Sequence, residues 1–194
     1  MGLWHDTLHA AGIVVLPGPT PGFLPADDAD WLSLIHARVT GGGDRRRWGI
    51  TCRDTRAAIA KRMVRRMRCH GVLGSRVCRG LYALTGHDAA DPEAAVQMPH
   101  LDYPRDVLGA LVDSPERVPL SCQWAVQRAF WLHTYGWHTP GEGVPGVPVL
   151  VPKGHMAVWR GDLYHGGGPH VSSLPRVHSY VAEPRLHIPD ALGA

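Results

Sequence analysis

Gly and Pro punctuate this chain so densely that long regular elements have little room, with 23 Gly and 17 Pro among 194 residues. Gly ends helices and strands through its backbone freedom, Pro through its fixed φ and missing N–H. In the second half they cut the apolar sequence into short runs at residues 120–126, 130–132, 147–151, 156–159 and 177–181. Short strands at that spacing predict a β-sandwich or barrel rather than a helical bundle. The length suits one domain over 1–194 and hence one active site.

The first half is less uniform. Ile13-Val14-Val15-Leu16, bounded by Gly12 and Pro17 within residues 9–17, reads as a buried strand. Residues 27–38 open with an Asp-rich cap and continue with Trp31, Leu32, Leu34, Ile35 and Ala37, which predicts a helix ended by Gly41-Gly42-Gly43. From Asp54 to about Arg68, Ile59, Ala60, Met63, Val64 and Met67 share one helical face and Lys61, Arg62, Arg65, Arg66 and Arg68 the other. Leu81 to Leu84 is apolar, and residues 87–93 read as a loop.

Composition narrows the class. Hydrophobic content of 44% and charged content of 19% are those of a soluble globular protein. No window reaches the roughly 18 apolar residues of a membrane span, and the first residues resemble neither a signal peptide nor a myristoylation site. A soluble, cytoplasmic or otherwise intracellular protein is expected, with no membrane partner. Cys52, Cys69, Cys78 and Cys122 form no CxxC pair, so thiols are expected rather than a disulfide framework. A zinc site from Cys52, Cys69, His70 and Cys78 would match no standard spacing.

The net charge of +3 hides an asymmetry: residues 45–79 hold twelve of the twenty Lys and Arg against one acid, Asp54. That segment carries +11 and the rest −8. Such a block is either a solvated face or the footprint of an anionic partner, with DNA or another nucleic acid as the candidate for Arg45–Arg79.

Three sequence elements carry chemistry. In His100-Leu101-Asp102, strand alternation puts an imidazole and a carboxylate on one side of an extended chain, where both can meet one cation. His165 follows the apolar run 156–159 and the turn Gly161-Asp162, and precedes Gly166-Gly167-Gly168, which permits close backbone approach. Two His and one carboxylate on one face of an octahedral Fe(II) leave three positions open, enough for a bidentate 2-oxo acid and O2. Eleven residues after His165, Arg176 opens Arg176-Val177-His178-Ser179-Tyr180, with a guanidinium fork suited to a carboxylate.

H-x-D, a gap of about sixty residues, Gly-Asp-Leu-x-His and Arg-x-x-Ser, in that order, resemble the Fe(II)/2-oxoglutarate-dependent dioxygenase superfamily. The strand Gly12-Ile13-Val14-Val15-Leu16-Pro17-Gly18 is similar to the N-terminal strand of phytanoyl-hydroxylase-like members, and Gln97-Met98-Pro99-His100-Leu101-Asp102-Tyr103-Pro104 is a further match as the lead into the triad. The resemblance covers most of residues 9–181 through about ten positions. It implies a mainly β protein with flanking helices and a double-stranded β-helix (jelly-roll, cupin-like) core at about 95–183, which the basic helical region read from the residues at about 44–80 precedes. It further implies Fe(II) on His100, Asp102 and His165, 2-oxoglutarate on Arg176 with His178 and Ser179 in support, and O2 as co-substrate. Oxidative decarboxylation to succinate would accompany hydroxylation of a C–H bond. Gly136-Trp137-His138 departs from the Pro-Gly-Ser-His turn of many relatives, and His138 stays outside the metal set, as do His133, His155 and His170. Trp124, Trp131, Trp137 and Trp159 are expected to pack the core, one of them at the substrate pocket.

The basic block makes a TET/JBP-like oxidation of a 5-methylpyrimidine in nucleic acid the leading specific expectation, since such a base would be flipped into the pocket. A small-molecule or amino-acid hydroxylase is the rival within the class. Arg185 lies nine residues beyond Arg176, a poor match to the second Arg of the AlkB branch. A non-catalytic cupin-like metal-binding protein is the alternative of another class; a zinc hydrolase is a further one, without an H-E-x-x-H to support it.

Overall fold

The structure is a computed structural model that describes residues 3–19, 35–38, 47–50, 53–84, 97–111, 113–168 and 176–186. The described elements begin with α1 (Leu3–Ala11), β1 (Ile13–Pro17), β2 (Ile35–Arg38), β3 (Arg47–Ile50), α2 (Arg53–Cys69), β4 (Val77–Leu84) and α3 (Arg105–Gly109). Six strands follow: β5 (Leu120–Trp124), β6 (Phe130–Gly136), β7 (Val147–Val151), β8 (His155–Arg160), β9 (Tyr164–Gly167) and β10 (Arg176–Ala182). They form a seven-stranded sheet in the order β1-β8-β5-β10-β4-β3-β2 and a three-stranded sheet in the order β7-β6-β9. Every strand pairing is antiparallel.

From β4 onward the chain deals its strands between the two sheets. β4 and β5 go to the large sheet, β6 and β7 to the small one, β8 to the large, β9 to the small and β10 to the large. An isolated antiparallel bridge between His100 and His165 adds the H-x-D segment beside β9. This interleaving is the double-stranded β-helix, and the short apolar runs between Gly and Pro are the strands that build it.

Strand alternation gives the large sheet two faces. On the outer one, Cys122, Trp124, Met156, Val158, Val177 and Val181 pack with Leu8 of α1 and with Ile59, Met63 and Met67 of α2. The α2 residues recur every fourth position, so burial follows the helical period, while Lys61, Arg62, Arg65 and Arg68 remain exposed. Each fully buried side chain of this size contributes about 1.5–3 kcal/mol through burial. Between the sheets, Ala125, Ala157 and Trp159 meet Phe130, Leu132 and Val151.

Local chemistry sets the ends of α1 and α2. Gly12 takes φ +78°, its N–H reaches the Leu8 carbonyl at 2.9 Å, and a Cβ there would lie 2.6 Å from the Trp137 ring. A left-handed cap with no side chain is what that corner requires. After α2 the Val72 N–H reaches back to the Met67 carbonyl at 3.0 Å.

Two expectations change. Residues 35–38, read as the end of a helix, are strand β2, paired with β3 through Ile35 and Ile50 and through Arg38 and Trp48. A tertiary ladder overrides the local amphipathic pattern there; the rest of 27–38 lies outside the described residues. Trp124 and Trp159 are fully buried, but Trp131 and Trp137 are about 40% exposed on the small sheet and the loop after it. Among the described residues no helix is long and apolar enough to cross a membrane.

Candidate metal centre

The H-x-D segment is held by backbone pairing before any metal is considered. His100 and His165 exchange N–H···O bonds of 2.9 and 3.1 Å, and Gln97 N–H reaches the Gly167 carbonyl at 3.0 Å. Gly166 makes this approach possible, because a Cβ there would lie 2.4 Å from the Gln97 carbonyl oxygen. The Gln97 side chain also accepts from the Gly167 N–H at 3.1 Å. Tyr103 then pins the segment to the large sheet: its hydroxyl donates to the Leu120 carbonyl at 2.6 Å and accepts from the Val181 N–H at 3.1 Å.

One ligand atom from each of His100, Asp102 and His165 lies within 4.8 Å of the others. Among the described residues this is the one group of three or more potential ligands. Nδ1 of His100 lies 2.9 Å from the Met98 carbonyl, and Nδ1 of His165 lies 3.0 Å from the Leu163 carbonyl. A carbonyl only accepts, so both Nδ1 atoms carry a proton, and in the neutral imidazoles the Nε2 atoms are the ones left for a cation. Asp102 faces them, with Oδ2 3.3 Å from His165 Nε2 and Oδ1 3.9 Å from His100 Nε2. Trp159 donates its indole N–H to Asp102 Oδ2 at 3.2 Å, orienting the carboxylate from the floor of the large sheet.

Asp102 and His165 are almost wholly buried. Burial alone would raise the carboxyl pKa of Asp102. The charge and hydrogen bond of His165, with help from His178 and His100, overcome this and hold it well below the usual carboxylate range. For His165, burial works towards a lower value, but Asp102 prevails and the net shift is upward. An anionic carboxylate grouped with two imidazole nitrogens is the donor set that a divalent first-row metal takes.

Arg176 and His178 lie on the inner face of β10. Arg176 is 5% exposed, with its guanidinium 5.1 Å from the centre of the Phe130 ring. His178 stacks on Trp159 at 5.9 Å, with Nε2 3.9 Å from Asp102 Oδ2. Ser179, expected beside Arg176, takes the opposite parity on the strand, with its hydroxyl 2.7 Å from Cys78 Sγ. An offset of three along a strand reverses the face, which the Arg-x-x-Ser pattern hides. Gln123 stands opposite His178 in the ladder, and its Oε1 is buried without a hydrogen-bond partner among the described residues. The inner face thus presents the Arg176 guanidinium, a fork of donors of the kind a carboxylate takes.

In the sequence, Trp159 reads as a core residue, and Gln97 and Tyr103 read only as members of the lead-in. Their roles depend on pairings across the fold, and no local signal announces them. His133, His138 and His155 lie outside the cluster. His170 and Cys52 lie outside the described residues, and Cys69, Cys78 and Cys122 form no disulfide.

The fold is that of the non-haem Fe(II)/2-oxoglutarate oxygenases. Solved structures of that kind match over nearly the whole chain at low identity. The non-haem monooxygenase ThoJ, in its nickel complex, matches at 13% identity and a TM-score of 0.63, over 95% of this chain and 79% of that one. The α-ketoglutarate-dependent epimerase SnoN from nogalamycin biosynthesis matches at 17% and 0.58, over 92% and 80%. A 2OG-Fe(II) oxygenase family oxidoreductase from Burkholderia pseudomallei matches at 12% and 0.51, over 93% and 88%. No family model matches the chain, and no curated protein matches it in sequence.

Proposed function

We propose that this chain is an Fe(II)- and 2-oxoglutarate-dependent oxygenase that hydroxylates a C–H bond of a small organic substrate. The observation that carries the reading is the convergence of His100 Nε2, His165 Nε2 and the Asp102 carboxylate within 4.8 Å, in the fold where such sites serve that chemistry. His100, Asp102 and His165 would hold the iron, and Arg176 the distal carboxylate of 2-oxoglutarate. Together with O2, these groups supply a two-electron oxidation that yields succinate, CO2 and hydroxylated product.

The chain's own residues position and shield. The Met98 and Leu163 carbonyls fix the tautomers of the two ligand imidazoles, and Trp159 and His178 hold Asp102 in place. Phe130 and Leu132 wall the interior against water from the small sheet. SnoN, solved with Fe3+, α-ketoglutarate and a nogalamycin compound, supports a small organic substrate by analogy of fold.

The second reading, oxidation of a nucleic-acid base, draws on the basic segment. Arg62, Arg65 and Arg66 border a cavity of about 310 Å3 with Pro19 and Cys69. Because the apolar side of α2 packs on the outer face of the large sheet, its arginines belong to the opposite side of that sheet from Asp102 and Arg176. That placement supports the small-molecule reading first.

The test is succinate release from 2-oxoglutarate with Fe(II) and O2, across a panel of small metabolites and 5-methylcytosine DNA and RNA. Stimulation by a metabolite is expected. Stimulation by nucleic acid alone would transfer the reading to bases, and no turnover with any substrate and no uncoupled turnover would count against the oxygenase.

A further inference from the structure

A second cleft, of about 500 Å3, is lined by Leu101, Arg105, Leu108, Trp137, Arg160 and Tyr164 among others. None of His100, Asp102 and His165 lines it. Leu101 sits between two of the ligands and Tyr164 precedes the third, so alternation turns both away from the metal. Tyr103, Leu108, Leu111, Val118 and Tyr180 form a small core that Leu101 joins. The cleft is therefore a separate concavity, of a size that suits a small ligand.

Its charges are not balanced. Arg160 is neutralised by Asp162 through two contacts of 2.6 and 3.0 Å, and it lies 4.7 Å from the centre of the Trp137 ring. Arg105 donates to the Thr139 hydroxyl at 2.7 Å and to the Tyr164 hydroxyl, and those two hydroxyls lie 3.0 Å apart. Among the described residues no carboxylate lies within ion-pair distance of Arg105. Two neutral hydroxyls thus hold the exposed Arg105 guanidinium in a cleft that Leu101, Leu108 and the Trp137 indole also line.

We propose that this cleft binds a small organic carboxylate, its anionic group on Arg105 and its apolar body over Leu101 and Leu108 beside Trp137. One guanidinium without a carboxylate partner among the described residues matches a monoanion in charge and a planar carboxylate in geometry. A phosphate dianion would leave a charge unmatched, because Asp162 already occupies Arg160. The proposal does not depend on the oxygenase reading, since binding here requires neither iron nor 2-oxoglutarate.

Calorimetric titration of the full chain with 3-phenylpropanoate and benzoate, and with their neutral amides, tests it. The acids should bind at least about tenfold more tightly than the amides. Arg105→Gln should remove that preference, Arg105→Lys should restore part of it, and Arg176→Gln should leave it intact. Equal binding of acids and amides would overturn the proposal, as would a preference that survives Arg105→Gln or disappears with Arg176→Gln. So would the failure of either acid to bind by about 10 mM.

Discussion

On β10, Val177 and Val181 point to the helices, while Arg176, His178 and Tyr180 point between the sheets. β5 and β8 repeat the division: Cys122, Trp124 and Val158 lie outward, Gln123, Ala157 and Trp159 inward. The outer face is closed by α1 and α2 with apolar side chains. The inner face holds buried polar groups, whose desolvation is offset by ion pairs and hydrogen bonds around Asp102. One set of strands thus separates stability from chemistry by the two-residue period alone, and substitutions on the two faces should fail in different ways.

The largest expected effect is on the inner side. His165→Ala should weaken Fe(II) or Co(II) binding by more than about 100-fold, beyond the range for residues that only orient a ligand. Thermal unfolding of the metal-free protein would show whether the fold persists, and unchanged metal affinity would remove His165 from the site. On the outer face, Met63→Ala should cost about 2–5 kcal/mol in denaturant unfolding. Metal affinity per folded molecule should stay the same; a parallel loss of affinity would break the division between faces.

Smaller effects sharpen the inner face. Arg176→Gln should raise the KM for 2-oxoglutarate by about 10- to 100-fold, the scale of a lost charged hydrogen bond. A KM unchanged by that substitution would place the co-substrate elsewhere. Trp159→Phe keeps the ring but removes the N–H donated to Asp102, and should weaken metal binding about tenfold with little change in unfolding temperature.

The smallest effect is the pH response. His165 has a raised folded pKa, so its protonated form stabilises the metal-free protein below 6.5, and that contribution is lost as pH rises through the folded value. Asp102 has a depressed folded pKa, so its contribution is present above 3.8 and disappears as pH falls through the folded value. Metal requires the neutral imidazole, so affinity should rise with pH over the range in which the metal-free protein loses stability. Parallel titrations of metal affinity and unfolding temperature check these opposite slopes.

Much of this was legible because the chemistry sits in residue types with few alternatives. His100, Asp102, His165 and Arg176 stand out by side-chain chemistry and order, and the core strands by the Gly and Pro between them. α2 is visible through its apolar period. The nine-residue α1 and five-residue α3 are too short for a helical period to show, and β2 carries a helix-like pattern that only its pairing with β3 overrules. Ser179 shows the cost of reading a strand by motif: its offset of three from Arg176 puts it on the other face, with Cys78. The Trp159 contact to Asp102 joins residues 57 apart in sequence, and no local pattern encodes it.

In the proposed site, His100, Asp102 and His165 hold Fe(II) while Arg176 receives 2-oxoglutarate beside it. Anaerobic addition of Fe(II) and then 2-oxoglutarate, followed by visible absorption, tests this most directly. A weak charge-transfer band is expected that needs both components, is lost in His165→Ala, and in Arg176→Gln requires more 2-oxoglutarate to appear. No band in the intact protein, or a band indifferent to both substitutions, would contradict it.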